Sequence, residues 1–210
     1  MIQIPLQEVI TAHTDALAHH HEEFVLLIRL LRLLGEEDSV SPEQLATATH
    51  HTRSEIEAFL QSTDLVVCRD ESIDLSPEPH LIQLEKKTLT GACALDTLVY
   101  PVLLGCSAHV LSTCPATGRP IRLTVTAKAR IEDLDPKTTV LSLRLPDETT
   151  NVCNVRETVC HYGYFFVDRE HAATWPGLHP EAVLLSVEEG VHLAREIMKA
   201  ARRYLEKAEV

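Results

Sequence analysis

Two helix-start signals in close succession constrain how the first part of this chain folds. Ser41-Pro42-Glu43-Gln44 and Thr52-Arg53-Ser54-Glu55 each place a hydroxyl at the N-cap and a Glu or Gln three residues later, which is the capping box. Proline at the first helical position strengthens the first signal. We therefore predict a short helix ending at about Thr47 and a second helix that runs through Leu60.

The segment before these helices is rich in apolar residues at helical spacing. Its densest part runs from Val25 to Leu34, and the pattern predicts helix over about 6–34 with Gly35 as its end. The pattern leaves open a break into two helices near His19 to Glu22.

The segment after the capped helices alternates between apolar and polar residues. The alternation covers Asp64 to Cys68 and Ser72 to Leu75, which predicts a small two-stranded β-wing. Helix, turn, helix and hairpin together predict a winged-helix-like unit over residues 1–80. Pro77 and Pro79 mark the predicted linker that follows it.

Residues 81–210 have a different pattern and predict a second domain. β-rich runs separated by Pro and Gly turns alternate with two predicted helices. The predicted strands are Ile121–Ala127, Thr139–Leu145, Gly163–Val167 and Ala182–Val187, and the predicted helices are Ala94–Val102 and Val187–Ala208. We therefore predict an α+β fold, in which the winged-helix-like helical unit is followed by a mixed β-sheet core with flanking helices.

Composition argues against nucleic acid and membrane as partners. The formal net charge is −12, which repels a phosphate backbone. Arg53 is the only basic residue of the second capped helix, against Glu55 and Glu57, whereas a recognition helix normally carries more positive charge. No long apolar run occurs, and the segment from Met1 to Glu8 lacks a secretory pattern, so we expect a cytosolic protein.

Six cysteines are the most unusual feature of the composition for a cytosolic chain. No C-x2-C pair occurs, so the spacing does not match a structural zinc module. Cys93 and Asp96 lie three positions apart, which places both on one face of a helix. From the spacing alone, Cys93 is either a nucleophile beside a proton handler or a small buried side chain with Asp96 as a local cap. The cysteines are Cys68, Cys93, Cys106, Cys114, Cys153 and Cys160.

Several motifs in order resemble the alkylmercury lyase family. Cys93-Ala94-Leu95-Asp96-Thr97-Leu98, with Pro101 soon after, is similar to the family signature. The resemblance spans about residues 90 to 195, and the N-terminal unit also agrees with the family architecture. The further matching segments are Cys114–Pro120 with the strand Ile121–Val125, Val155–His161 with Phe165-Phe166, Trp175, and Leu184–Glu189.

The resemblance implies an enzyme that cleaves carbon–mercury bonds and releases a hydrocarbon and Hg(II). It also implies a role in mercury resistance. The family's catalytic residues fall on Cys93, Asp96 and Cys160, which would also hold the product Hg(II). Mercury(II) is soft and prefers thiolate ligands, so two thiolates can grip the metal while the aspartate handles the proton. No resident cofactor is implied. Small thiols would release Hg(II) to cellular thiols or to a mercuric reductase.

The other cysteines and the histidines carry weaker signals for chemistry. Cys114 matches a family turn and is expected to have a packing role, and we expect Cys68, Cys106 and Cys153 to be incidental thiols. Consecutive side chains of a helix point in different directions, so His19-His20-His21 predicts a solvated surface rather than a metal site. His161 follows Cys160, and whether its imidazole assists that thiolate stays open.

Some questions stay open at the level of sequence. Thr90-Gly91-Ala92 stands where better-known family members carry bulky aromatic residues, which predicts a roomier or a more mobile pocket. Preference for alkyl or aryl mercurials, and a monomeric or homodimeric state, are not determined. Two alternative functions are a soft-metal protein that binds copper or mercury without turnover and a metal- or thiol-sensing DNA-binding regulator, which the acidic charge disfavours.

Overall fold

A computed structural model describes residues 3–63, 65–69, 72–76 and 78–207. Asp64, at the start of a predicted strand, Pro77, in the predicted linker, and Ala208, at the end of the last predicted helix, lie outside the described residues.

The first helical segment is two helices, α1 (Leu6–His19) and α2 (His21–Glu36), so the break that the sequence left open is present. The expectation that Gly35 ends the helix is wrong, because α2 includes it. A Cβ at residue 35 would lie 2.6 Å from Cδ2 of Leu104. Gly35 therefore does not end α2 but lets this helix pack closely against the side chain of Leu104.

Both predicted capping boxes are present and begin helices α3 (Pro42–Thr49) and α4 (Arg53–Ser62). In the first box, the backbone N–H of Gln44 donates to the Ser41 hydroxyl at 3.2 Å. The predicted hairpin follows as antiparallel strands β1 (Val66–Arg69) and β2 (Ser72–Leu75). The elements of the predicted N-terminal unit are therefore present, while their likeness to a winged helix stays a prediction.

The β structure of the second half confirms the α+β class but forms two antiparallel sheets. The prediction of a mixed sheet is wrong, since every pairing among the described strands is antiparallel. Short turns such as the one between Leu84 and Lys87 join consecutive strands, and such short connections require antiparallel neighbours. The five-stranded sheet has the order β4 (Thr88–Gly91), β3 (His80–Gln83), β5 (Ala108–Thr113), β6 (Pro120–Val125), β7 (Ile131–Asp135), and the three-stranded sheet has the order β10 (Val183–Ser186), β8 (Val140–Leu143), β9 (Phe165–Phe166).

The two long predicted helices of this half are confirmed. Helix α5 (Ala94–Leu104) ends at Gly105, which adopts the left-handed conformation with φ of 63°. Helix α8 (Val187–Lys207) packs against α1, α2 and α5. Three short helical segments complete the described part of the chain, namely α6 (Val155–Thr158), the 3₁₀ turn Cys160–Tyr162 and α7 (Arg169–Thr174).

Both hydrophobic clusters of the core draw residues from the two sides of residue 80. The first places Val9 and Ile10 of α1 with the buried residues around Cys93. The second joins α2 to α5 and α8 through side chains that include Leu30, Tyr100 and Leu205. The predicted domain boundary at residue 80 stays a prediction, and the packing makes α5 and α8 shared surfaces.

Helices α1 and α2 cover apolar faces of α5 and α8, so we expect residues 80–207 expressed alone not to reach the native packing. Removing the cover exposes Tyr100, Leu103 and Leu205 to water. Near-ultraviolet circular dichroism and dye binding should report a loosely packed, dye-binding state, with the full chain as the control. A cooperative thermal transition in the fragment would contradict this expectation.

Candidate active site

The structure brings Cys93, Asp96 and Cys160 together. One ligand atom from each, the two sulfurs and a carboxylate oxygen, lie within 4.8 Å of one another. Both thiols are buried and Asp96 is half-buried. Within the described part of the chain, this is the only such grouping of His, Cys, Asp or Glu side chains. The positions named from the sequence therefore form one site, and their catalytic roles stay a prediction.

Cys93 and Asp96 are held by the start of helix α5. Cys93 is the N-cap, and its backbone N–H donates to Oδ2 of Asp96 at 3.0 Å. The backbone N–H of Asp96 faces the Cys93 sulfur in return, so this is a capping box with sulfur in the place of a hydroxyl. The helix N-terminus is electropositive and favours a thiolate there. The same carboxylate therefore caps the helix and lies beside the two thiols.

Cys160 reaches this helix start through the turn that contains it. The backbone N–H of Ala94 donates to the carbonyl of Gly163 at 2.8 Å, and the N–H of Gly163 donates to the carbonyl of Cys160 at 2.9 Å. A Cβ at residue 163 would lie only 2.6 Å from the Cβ of Cys93. Glycine is required for this approach. Sequence reasoning missed Gly163, although a glycine three residues after a candidate cysteine was a usable signal.

The segment Thr90-Gly91-Ala92, which departs from the family pattern, also lies against the carboxylate of Asp96. The backbone N–H of Cys93 bonds to Asp96, and the backbone of Ala92 also acts to lower the pKa of that carboxyl. A Cβ at residue 91 would lie 3.1 Å from the Cβ of Asp96, so Gly91 also permits a close approach. The predicted roominess of the pocket at Thr90-Gly91-Ala92 stays a prediction.

Burial shifts the three titratable groups toward their neutral forms. Burial raises the pKa of Asp96 to about 6, although the backbone N–H groups act in the opposite direction. The hydrogen bond from Cys160 lowers the pKa of Cys93, but burial and the charge of Asp96 outweigh it and the pKa is raised. The hydrogen bond with Cys93, burial and the neighbouring charges raise the pKa of Cys160 well above its ordinary value. Cys93 is therefore the thiol that ionises more readily, and Cys160 retains its proton.

A second carboxylate lies near the site and was missed by sequence reasoning. Glu78, between β2 and β3, forms an ion pair with Arg156 of α6. After burial, the main cause, the charge of Glu78 adds to the upward pKa shift of Asp96. The ion pair also links α6, and with it the turn of Cys160, to the segment that leads into β3.

A cavity of about 150 Å³ lies beside the three side chains. Its lining is mostly apolar and comes from both halves of the chain, so α1 and α2 form one wall of the site. A cavity of about this size can hold a benzene ring. Lining residues that the sequence did not indicate include His13, Phe24, Leu27, Val99, Tyr100 and Met198.

The remaining cysteines lie outside this group. Cys114 is buried in the turn between β5 and β6, where its backbone pairs with Arg119 at 2.9 Å and Gly118 at 2.8 Å, in keeping with a packing role. Cys68 and Cys153 are exposed, and Cys106 is half-buried.

The histidine cluster and the capped helix α4 show no built site among the described residues. Nδ1 of His19 contacts the carbonyl of Asp15, His20 approaches Glu23, and His21 stacks on Tyr204. The three rings therefore have separate partners. His161 is exposed, and its ring packs edge-on against Tyr162. Arg53, the basic residue of α4, pairs with Glu57 at 2.8 Å, which weakens the DNA-binding alternative.

Comparison with known proteins finds consistent relatives. The family model described as alkylmercury lyase matches residues 73–199. An alkylmercury lyase of Staphylococcus epidermidis is 34% identical over 174 residues, which cover 80% of this chain and 79% of that protein. An alkylmercury lyase of Pseudomonas putida is 33% identical over 198 residues, covering 91% and 90%. The fold is similar to the crystal structure of the mercury-bound form of MerB2, with a TM-score of 0.74, 22% identity and coverage of 93% and 99%.

Asp96 makes stability depend on pH in a direction that can be tested. Its pKa is raised from 3.8 to about 6 in the folded chain, so its ionisation disfavours folding, by at most about 3 kcal/mol. The folded state holds the Asp96 proton more tightly than the unfolded state does. The free energy of unfolding is therefore highest below pH 4 and falls as the pH rises to 6. Asp96→Asn has no such proton to lose, so this fall is absent in the variant. Urea unfolding from pH 4 to pH 7.5 should show the variant gaining stability relative to wild type up to pH 6 and then levelling. A difference that is constant with pH would contradict the assignment.

Proposed function

The chain belongs to the alkylmercury lyase family, and from this premise we propose that it cleaves carbon–mercury bonds by protonolysis at Cys93, Asp96 and Cys160. The observation that carries the proposal is the meeting of two thiols and one carboxylate beside an apolar cavity. Two thiolates alone would suffice to bind a soft metal. A buried carboxylate adds a group that accepts and returns a proton, which bond cleavage needs and simple binding does not.

The first step is capture of the organomercurial. Mercury arrives bound to carbon and to a small thiolate. The sulfur of Cys93 bonds to mercury as the bond to the small thiolate breaks, and that thiolate leaves with the proton of Cys93 as a free thiol. The helix N-terminus and the hydrogen bond from Cys160 favour the Cys93 thiolate over its partner. The organic group lies in the cavity of about 150 Å³, whose apolar lining suits alkyl chains and a single aromatic ring.

The second step is proton transfer. Asp96 takes the proton of Cys160 as that sulfur adds to mercury, and then delivers the same proton to the carbon. The electron pair of the carbon–mercury bond forms the new C–H bond, so mercury stays in the +2 state and no oxidant or reductant is needed. A pKa of about 6 lets Asp96 be ionised at neutral pH yet remain a usable acid.

The last step is release of Hg(II) from Cys93 and Cys160. Both sulfurs are buried, and thiolate exchange gives mercury(II) to a small thiol that enters the cavity. We propose cellular thiols or a mercuric reductase as the acceptor, no resident cofactor, and a cytosolic role in mercury resistance. No helix among residues described by the structure is long and apolar enough to cross a membrane.

The direct test is release of benzene from phenylmercury at pH 7 with an excess of small thiol, measured by gas chromatography. We expect turnover by wild type and a loss of about 100-fold or more in Asp96→Asn, because general acid–base catalysis contributes this much. Cys93→Ser and Cys160→Ser should each remove turnover. Cys153→Ser, which changes an exposed thiol, is the matched control and should retain it.

Each contrary outcome has a definite meaning. Full activity in any of the three site variants would overturn the assigned mechanism. Stoichiometric Hg(II) binding without benzene release, lost on replacing Cys93 or Cys160, would identify a soft-metal-binding protein instead.

A further inference from the structure

One buried histidine connects the five-stranded sheet to the turn that carries Cys160. His80 is the first residue of β3 and only 2% exposed. It lies opposite Gly91 in the ladder between β3 and β4, two residues before Cys93. Its ring packs edge-on against Phe165, with centroids 6.1 Å apart, two residues after Gly163. The ring therefore lies between the segments that lead to the two site cysteines.

The His80 ring lies between a hydroxyl and a backbone carbonyl. Nδ1 lies 2.8 Å from the hydroxyl oxygen of Ser112, and the backbone of Gly163 acts on the ring and raises its pKa. Burial lowers the pKa of His80 to about 4 despite that carbonyl, so the ring is neutral and has a single N–H. A carbonyl oxygen can only accept and Nδ1 faces Ser112, so the tautomer that uses both partners carries its hydrogen on Nε2. Nδ1 then accepts from the Ser112 hydroxyl.

The carbonyl that His80 contacts is the one that joins the two halves of the site. The same oxygen of Gly163 accepts the backbone N–H of Ala94 at 2.8 Å, at the first residue of α5. A displacement of this carbonyl moves Cys160 relative to Cys93, because Gly163 also bonds to the backbone of Cys160.

We propose that His80 is a positioning residue which, by donating a hydrogen bond to Gly163, holds the turn of Cys160 against the start of α5 and sets the separation of the two thiols. The inference rests on the proposed function, because it concerns the grip of both thiols on mercury. His80 is not a member of the three-residue group that would hold the metal. Ser112 fixes the tautomer, and so keeps the donor directed at Gly163.

Two substitutions separate this role from simple packing. The amide nitrogen of a glutamine reaches about the position of Nε2, whereas an asparagine reaches only that of Nδ1. We expect His80→Gln to stay within about 3-fold of wild type and His80→Asn to lose about 10- to 100-fold in kcat with little change in KM. Hg(II) affinity against a competing small dithiol, a measurement independent of turnover, should fall in the same order.

His109→Asn is the matched control. His109 lies on the neighbouring strand β5, where it is exposed and its Nδ1 is 3.0 Å from the hydroxyl of Thr124, so the variant makes the same truncation beside a hydroxyl but away from Gly163. We expect wild-type kcat and Hg(II) affinity. If His80→Asn is insoluble, Ser112→Ala tests the same network. The variant removes the hydroxyl that faces Nδ1 of His80, so the ring hydrogen can move from Nε2 to Nδ1. Ser112→Ala should therefore lower kcat by about 3- to 10-fold.

The outcomes that overturn the proposal differ from those that overturn the function. Wild-type kcat and Hg(II) affinity in His80→Asn, with only a lower melting temperature, would make His80 a packing residue. Equal losses in His80→Gln and His80→Asn would overturn the donation to Gly163. If wild type releases no benzene but the Hg(II) affinities still follow the expected order, the positioning role stands and the lyase function fails.

Discussion

The site depends on one backbone contact, the hydrogen bond from the N–H of Ala94 to the carbonyl of Gly163. This bond joins the start of α5, which carries Cys93, to the turn that carries Cys160. It forms only because residue 163 has no Cβ, since a Cβ there would lie 2.6 Å from that of Cys93. The remaining structure stabilises this approach, with His80 behind the turn and the ion pair of Glu78 beside it.

The electrostatics of the site follow from its burial. Asp96 is placed where it caps a helix and faces two thiols, and burial raises its pKa to about 6. That shift is unfavourable for folding and useful for proton transfer, which is a common relation between stability and activity at catalytic sites. The two thiols are also unequal, because only Cys93 lies at the electropositive end of α5. This inequality is what the proposed mechanism uses, with Cys93 as the first nucleophile and Cys160 as the source of the proton.

The N-terminal helices contribute to the site as well as to the core. Helices α1 and α2 pack on α8, and α2 also packs on α5, closing one wall of the cavity beside Cys93. The sequence predicted a winged-helix-like unit that could serve in DNA binding or in packing. The pairing of Arg53 with Glu57 and the acidic charge favour packing. This wall comes from a part of the chain that contributes none of Cys93, Asp96 and Cys160.

The sequence by itself determined the features that depend on neighbours within a few residues. Both capping boxes, the starts of α5 and α8 and the shared face of Cys93 and Asp96 follow from helical spacing, because helix geometry repeats within one turn. The resemblance added Cys160 as a site residue but not how it is held. Only the tertiary structure decided the antiparallel sheets, the apolar cavity and the roles of Gly163 and His80. These depend on contacts between segments far apart in the chain, and short strands such as β3 and β4 have too little alternation to indicate their partners.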